Sequence, residues 1–380
     1  MKIFLFAWIG FLFWGSCLLA VDDQAILIGM IGGEGELIYP TQAEEGPDGN
    51  IYVYDAVDAF IKVYSPEGIF MRSIGGEGQG PGEIQRAGGV RFGFTSDDKL
   101  YFTEFIGGHR WITVVELSGD LYKTIKLQIS EVFGISGSYP LGDGGYLVLL
   151  SYSSVPQVKD DYFLYRSPRE LVRIDSHGKI VSRLKRTNPV TRISYRDDGA
   201  DSPIPFTPRF AWCPYEAETV IFSEGLNSHL QVYDYDGRLI GEIKTPLSKP
   251  ERVSKKDLDR WRERRKENIG DQMWYKRFGT VIEKYKKSIY DQRPNLSGLS
   301  LTPRGNILVT GATVEGSESV LYWLLDKKGK ALVKGRTVSF GLRITRNFVF
   351  FMMRDEEGNS SLSALKRTGT EVQDLKRILK

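Results

Sequence analysis

At 380 residues, 41% of them hydrophobic, the chain is long enough for two or three ordinary domains or for one large closed array of repeats. Its formal charge of +3 is nearly neutral for this length, which argues against a dedicated binder of phosphate backbones and against nucleic acid as a partner. Aromatics at 12% with 41 Gly and 16 Pro favour short strands and tight turns over a helical protein, and two cysteines cannot build a disulfide scaffold.

The chain opens on MKIFLFAWIGFLFWGSCLLAV, one lysine ahead of an apolar run and small residues, the layout of a secretory signal over residues 1–20. Three fates are open: cleavage after Ala20, lipidation of Cys17, or retention as an anchor, since the run from Ile3 to Val21 is just long enough to span a bilayer. All three put the body outside the cytoplasm, periplasmic or secreted, and two of them attach it to a membrane through the N-terminus. Cleavage would leave Cys213 as the only thiol, expected to be a small buried hydrophobe.

After the leader comes a repeated grammar. PDGN is a turn, IYVYD alternates as a strand should, AFIKVYS alternates again, PEG turns, and IFMRSI makes a further strand. The same order returns with SDDKLYFTE and WITVVELSGDLYKTIKL, GDGGYLVLL and RELVRIDSHGKIVSRL, ETVIFSE and HLQVYDYDGRLIGEI, PRGNILVTG and SVLYWLLDKKGKALV, and finally NFVFFMM and SLSALKR. Each unit has one more strand upstream, such as GLSLT before PRGN. Six units of four antiparallel strands predict an all-β, six-bladed β-propeller over residues 24–370, because a blade cannot bury both faces alone and a ring of blades can. Closure is legible at the ends. IGGEG occurs twice, 43 positions apart, so ILIGMIGGEG at the N-terminus is expected to be the outer strand of the last blade.

The stretch PDGNIYVYDAVDAFIKVYSPEGIFMRSIGGEGQGPGE, with its turn, its Asp55 ending the second strand and its glycine-rich exit loop, resembles the NHL repeat; elsewhere only the strand and turn skeleton survives. The resemblance implies a six-bladed propeller of the NHL-like kind. It brings two enzymatic precedents, lyases that hold zinc with channel histidines and sugar-lactone hydrolases that hold calcium with a Glu, Asn and Asp set. GGEGQGPG matches the exit loop and lacks the Lys-Ser/Thr of a phosphate loop, and GISGS lacks the strand-to-helix setting of a nucleophile elbow.

Between the fourth and fifth units the spacing of turn glycines widens from 59 residues (Gly178 to Gly237) to 92 (Gly237 to Gly329). The inserted residues 249–291 read as two helices broken near Gly270. Ser254 and Asp257 are spaced as a capping pair, and Trp274, Phe278, Val281, Ile282, Tyr285 and Ile289 form an apolar stripe. Here 14 Lys and Arg stand against 8 Asp and Glu, so the insertion is either a basic lid or contact arm, or an amphipathic pair packed on the ring with solvated charges. The tail TEVQDLKRILK is left over, as a loose helix or a competing outer strand.

Aligned units put Asp55, Glu104 and Glu224 at the ends of second strands, and Arg86, Arg209 and Arg293 just before inner strands. His109 and His229 occupy equivalent loops of blades 2 and 4, and His177 sits in a turn at the opposite end of its blade. Together the first eight make a charged rim at the channel mouth, suited to a polar or anionic ligand; the alternative is that carboxylates accept loop amides and arginines pair with them. Charge reversal at Arg209 with Arg293 is expected to weaken binding without moving the melting temperature. The two mouth histidines fall short of a three-ligand zinc site unless a carboxylate such as Glu104 joins them, and the inner strands carry no clear calcium set, so no cofactor is expected. The function expected is an exported, non-enzymatic module that binds a protein, peptide or glycan at this face. A metal-assisted lactone hydrolase or lyase in the channel, or a structural part of a membrane-associated complex, are the alternatives.

Overall fold

The computed structural model describes residues 25–29, 35–78, 80, 82–84, 89–104, 110–152, 157–159, 162–187, 190–195, 201–208, 210–267, 291–312, 319–338, 340–354 and 360–379. The signal or anchor expected over 1–20 lies outside these residues. The chain forms six blades, each ordered inner, second, third and outer strand. Blade 1 is Pro40–Glu45, Ile51–Asp55, Phe60–Tyr64 and Phe70–Gly75. Blade 2 is Val90–Phe94, Leu100–Glu104, Trp111–Val115 and Leu121–Lys126. Blade 3 is Val132–Pro140, Tyr146–Tyr152, Arg169–Ile174 and Ile180–Arg186, and blade 4 is Ala211–Pro214, Thr219–Ser223, His229–Asp234 and Leu239–Lys244. Blade 5 is Leu296–Leu301, Ile307–Gly311, Val320–Leu325 and Ala331–Thr337. Blade 6 takes Phe340–Ile344, Phe348–Arg354 and Ser360–Lys366 from the C-terminal end and Ala25–Ile28 from the N-terminal end.

The second strands explain why the ring must close. IYVYD and LYFTE are buried at every position, so apolar side chains leave both faces of the blade and need a neighbour on each side. Six apolar clusters follow, one in each interface between consecutive blades; Tyr52, Tyr54, Phe92 and Phe102 fill the one between blades 1 and 2. The turns between third and outer strands hold these interfaces tight. Gly178 and Gly329 have φ of +81° and +84°, and a Cβ on either would lie 2.0 Å from a carbonyl oxygen of the preceding blade's outer strand, Lys126 and Lys244 respectively, so both conformation and space demand glycine.

Closure is as expected: Ala25 pairs with Leu365 and Ile28 with Leu362, antiparallel. The tail is neither loose nor a strand. It forms a helix, Glu371–Ile378 (here α2, following the insertion helix α1, Lys255–Glu267), begun by a capping box between Thr370 and Gln373. Leu375 and Leu379 enter the cluster between blades 5 and 6, and Glu371 accepts hydrogen bonds from Thr302 Oγ1 (2.8 Å), Asn306 Nδ2 (2.8 Å) and the Arg304 amide (3.2 Å).

Turns joining inner to second and third to outer strands lie on one face of a propeller, and loops joining second to third strands and blade to blade lie on the other, the mouth face. Two departures from the repeat both arise in mouth-face loops. One is a further four-stranded sheet of blade 3, which the sequence reading did not anticipate: Gln157–Lys159 and Tyr162–Ser167 interrupt the second-to-third loop, and Val190–Tyr195 and Asp201–Pro203 follow the outer strand. Ser167 pairs with Val190 just beyond the Glu170–Arg186 pair, so the hairpin of blade 3 simply continues past the ring. The other is the insertion between blades 4 and 5. Its base is pinned by the Arg252–Gln292 bridge and by Val253 N–H donating to Asp291 O (2.7 Å), and α1 starts at the expected cap, Asp257 accepting from the Ser254 amide at 2.8 Å. The expected second helix and its apolar stripe lie outside the described residues.

Candidate functional site

Of the eight expected rim residues, Arg86, His109 and Arg209 lie outside the described residues. The other five have distinct settings. Asp55 is completely buried: it accepts the amides of Ile38 (2.6 Å), Tyr39 (3.0 Å) and Val57 (3.1 Å) and pairs with Lys62 at 3.3 Å. Lys62 also meets Asp58 at 2.6 Å and the Glu36 carbonyl, so this network ties the closing segment to blade 1. Glu104 is buried at the corresponding place in blade 2. The buried Tyr54 hydroxyl is pushed up to about 12, first by burial and then by the charges of Glu104, Asp55 and Asp58.

Arg293 is committed to the insertion. Its guanidinium bonds Asp257 at 2.9 Å and Glu251, while its amide donates to Glu251 O. Reversing its charge would therefore break the brace that holds α1, and the expectation of an unchanged melting temperature does not follow for this residue. Glu224 and His229, half-buried, flank the base of the same insertion, where the Asn295 side chain donates to the carbonyls of Asn227 (2.8 Å) and Ser248 (3.0 Å). The mouth thus has two built zones, one at blades 1 and 2 and one at blades 4 and 5.

A second polar constellation sits inside the channel, on inner strands. Gln42 of blade 1 behaves as a spare peptide for blade 2, donating to Phe92 O at 2.7 Å and accepting from Phe92 N–H at 3.2 Å. It also donates to Glu44 Oε1 (3.3 Å), while Arg343 of blade 6 donates from Nε to Glu44 Oε2 (3.0 Å). Arg343 is a third exposed to the channel yet walled by the ring, and the Glu44 charge holds its guanidinium above the ordinary value against the opposing effect of burial. Arg91 of blade 2 is pulled the other way by burial, against the field of Glu44. Behind the inner strands, Tyr101 of the second strand of blade 2 donates to Ser138 O at 3.1 Å in the cluster between blades 2 and 3. Tyr139 on the inner strand of blade 3 is 42% exposed, and Cys213, whose thiol burial pushes up to about 12, is the small buried hydrophobe expected, in the cluster between blades 4 and 5.

The sequence reading missed Glu44, Arg91, Arg343 and Tyr139. A signal was present: VRFGF and FGLRI each place one arginine among apolar and glycine residues of an inner strand, where a charge has no solvated outer face to occupy.

No family model matches the chain, and no curated protein matches it in sequence. Among solved structures, a candidate exported protein of Bacteroides fragilis is similar over 92% of this chain and 96% of its own, at 12% identity and a TM-score of 0.51. Virginiamycin B lyase of Staphylococcus aureus (10% identity, 90% and 99% covered, TM-score 0.44) and a gluconolactonase of Xanthomonas campestris (10%, 93% and 93%, 0.47) are more distant. At these identities the likeness concerns the fold, a six-bladed propeller.

The enzymatic precedents require a metal. Among the described residues no three His, Cys, Asp or Glu side chains converge so as to hold one: Asp55 is used by backbone amides and Lys62, and Glu104 is buried. The zinc set weighed above turns on His109, which lies outside the described residues, and no chemistry through a metal is derived. Nor, among them, is any helix long and apolar enough to cross a membrane.

Proposed function

We propose that the protein is an exported binding module that takes a protein, peptide or glycan on the mouth face of its propeller, without catalysis and without a cofactor. The observation that supports this reading is the asymmetry of the two faces. The blade 3 sheet and the α1 insertion both leave the ring through mouth-face loops, while the turns of the opposite face stay short. Loops raised on a rigid ring offer a shaped surface at little ordering cost. The apolar leader supports export, and the motif of blade 1 supports kinship with NHL-like propellers. Glu224 and His229, with Arg86, His109 and Arg209, are the residues proposed to meet the ligand, and Arg293 is proposed to position the insertion.

The test is to replace residues 255–290 by a short Gly-Ser linker and, separately, to trim the blade 3 sheet, then to compare each with the parent on glycan and peptide arrays. Binding by the parent that either deletion abolishes, with melting retained, is the expected result. Deletions that bind like the parent would refute the mouth-face reading. Elemental mass spectrometry on the dialysed protein addresses the enzyme alternative: a stoichiometric ion would shift the reading to metal-assisted hydrolysis or elimination.

A further inference from the structure

The face opposite the mouth is divided by charge, and the chain enters it at one point. In blades 1 and 2 its turns, residues 46–50, 65–69, 95–99 and 116–120, hold six Asp and Glu and one Lys. Under blades 5 and 6 the sign reverses. Arg304, Lys328, Lys330 and Arg346 are exposed in the turns, Lys366 at the end of the third strand of blade 6, and Lys376 on α2. Glu371 holds α2 to this face at the 302–306 turn, and Arg367 holds it at the carbonyls of Thr345 and Arg346. The carboxylates of these segments do not answer the exposed cations. Glu371 and Asp374 are buried, and Asp326 turns back on its own loop, accepting the amides of Lys328 and Lys330 at 2.9 Å. Lys327 meets Glu216 of blade 4 at 3.1 Å.

The N-terminal latch starts on the same face. Third strands run from the mouth to the turns, and Ala25 pairs with Leu365 near the end of one, so everything before Ala25 joins the ring beside Lys366. Gly68 of the next turn lies against Ile26, a Cβ there falling 2.7 Å from its Cγ2, and the adjoining Ile69 is 67% exposed. Seven residues separate Cys17 from Ala25 and three separate Val21 from it, so a tether from either reaches about 30 Å at most.

We propose that this face docks on a membrane of anionic lipid. The leader, retained as an anchor or acylated at Cys17, fixes blade 6 to the bilayer, and the cations of blades 5, 6 and α2 meet phosphate headgroups while the mouth face points away. An apolar attachment and a basic patch reinforce one another, since a single acyl chain holds only marginally and each basic residue near an anionic surface adds attraction that salt screens. A merely solubilising surface would spread its cations over the face; here they collect where the chain is fastened. The inference rests on the leader staying attached and not on what the mouth face binds.

Hydrogen–deuterium exchange of the full chain, leader included, would compare vesicles of phosphatidylcholine alone with vesicles of equal parts phosphatidylcholine and phosphatidylglycerol. The expected result is slower exchange at residues 304–306, 326–330 and 371–379 on the anionic vesicles, with the turns of blades 1 and 2 and the mouth loops of blade 4 unchanged. High salt should abolish the difference, as should Lys328→Glu combined with Lys330→Glu. Both side chains are exposed and their turn is held by backbone amides, so the fold is kept. Equal exchange on the two lipids would overturn the proposal, as would slowing at the mouth loops or slowing that survives the double reversal. An equal effect from soluble polyglutamate would overturn it too, assigning the patch to an acidic protein. So would an exported chain whose mass shows a free N-terminus at Val21. Ligand arrays at the mouth face are read independently of all these outcomes, so the two readings fail separately.

Discussion

Two arginine clusters in this molecule use the same residue types to opposite ends. At α2, one arginine serves two carboxylates: Arg367 donates from Nε to Asp374 (3.0 Å), from Nη1 to the carbonyls of Thr345 (2.7 Å) and Arg346 (3.1 Å), and lies 4.0 Å from Glu371. All of these side chains are sealed from water, with Arg367 8% exposed and both acids 1%. In the channel, Arg343 meets Glu44 through Nε, and its side chain is 36% exposed. The lesson is that access to water sets how much each arginine contributes to holding the fold. A dry cluster can only hold things together, whereas one in contact with water gives up a partner at smaller cost.

The largest expected effect tests the sealed cluster. Arg367→Met would leave the buried Asp374 carboxylate without its donor, while Glu371 keeps Thr302, Asn306 and the Arg304 amide; urea unfolding should show a loss of about 3–5 kcal/mol, and a loss below about 1 kcal/mol would mean that α2 is peripheral. Arg343→Met should cost only about 1 kcal/mol in the same measurement, because Glu44 keeps its bond to Gln42 and its water. Equal losses for the two variants would erase the distinction and make the channel cluster structural. Thr370→Ala, which removes the cap of α2 without touching the arginine, should cost about 1 kcal/mol, and a much larger loss would place the stability of this corner in the helix start instead of in the ion pairs.

The smallest effect concerns an exposed pair outside both clusters. The Arg173 hydrogen bond to Asp143 at 2.6 Å, then the Gly145 amide, hold the Asp143 carboxyl below its ordinary value of 3.8. A depressed folded-state value stabilises above the ordinary one and is lost as pH falls through the folded one. Asp143→Asn should therefore cost about 0.5 kcal/mol or less at neutral pH, and the difference from the parent should vanish in acid titrations below that range. A difference that persists in acid would assign the effect to packing.

Much of the fold was legible because its cues are local. Alternating strands recur with glycine turns, and the duplicated IGGEG points to the closing strand that pairs Ala25 with Leu365. The extra sheet of blade 3 was less so: 16 residues separate Tyr152 from Arg169, against 4 between Asp55 and Phe60, a spacing that signals an insertion without saying that it pairs with itself. The tail was ambiguous because an eight-residue helix has no stability of its own; the pocket between blades 5 and 6 that receives Leu375 decides it.

The site was less legible than the fold. Alignment of the units placed Asp55 and Arg293 at the mouth, and it also raised the alternative that carboxylates meet loop amides and arginines meet carboxylates, which is what both residues do. What the sequence determined by itself is the period: six blades, an N-terminal latch and a capped helix between blades 4 and 5, all set by turn chemistry and by alternation within a few residues. What only the tertiary structure decided is which charges meet. Glu44 and Arg343 lie 299 positions apart and share a hydrogen bond because closing the ring brings the first blade against the last, a contact that no local rule encodes.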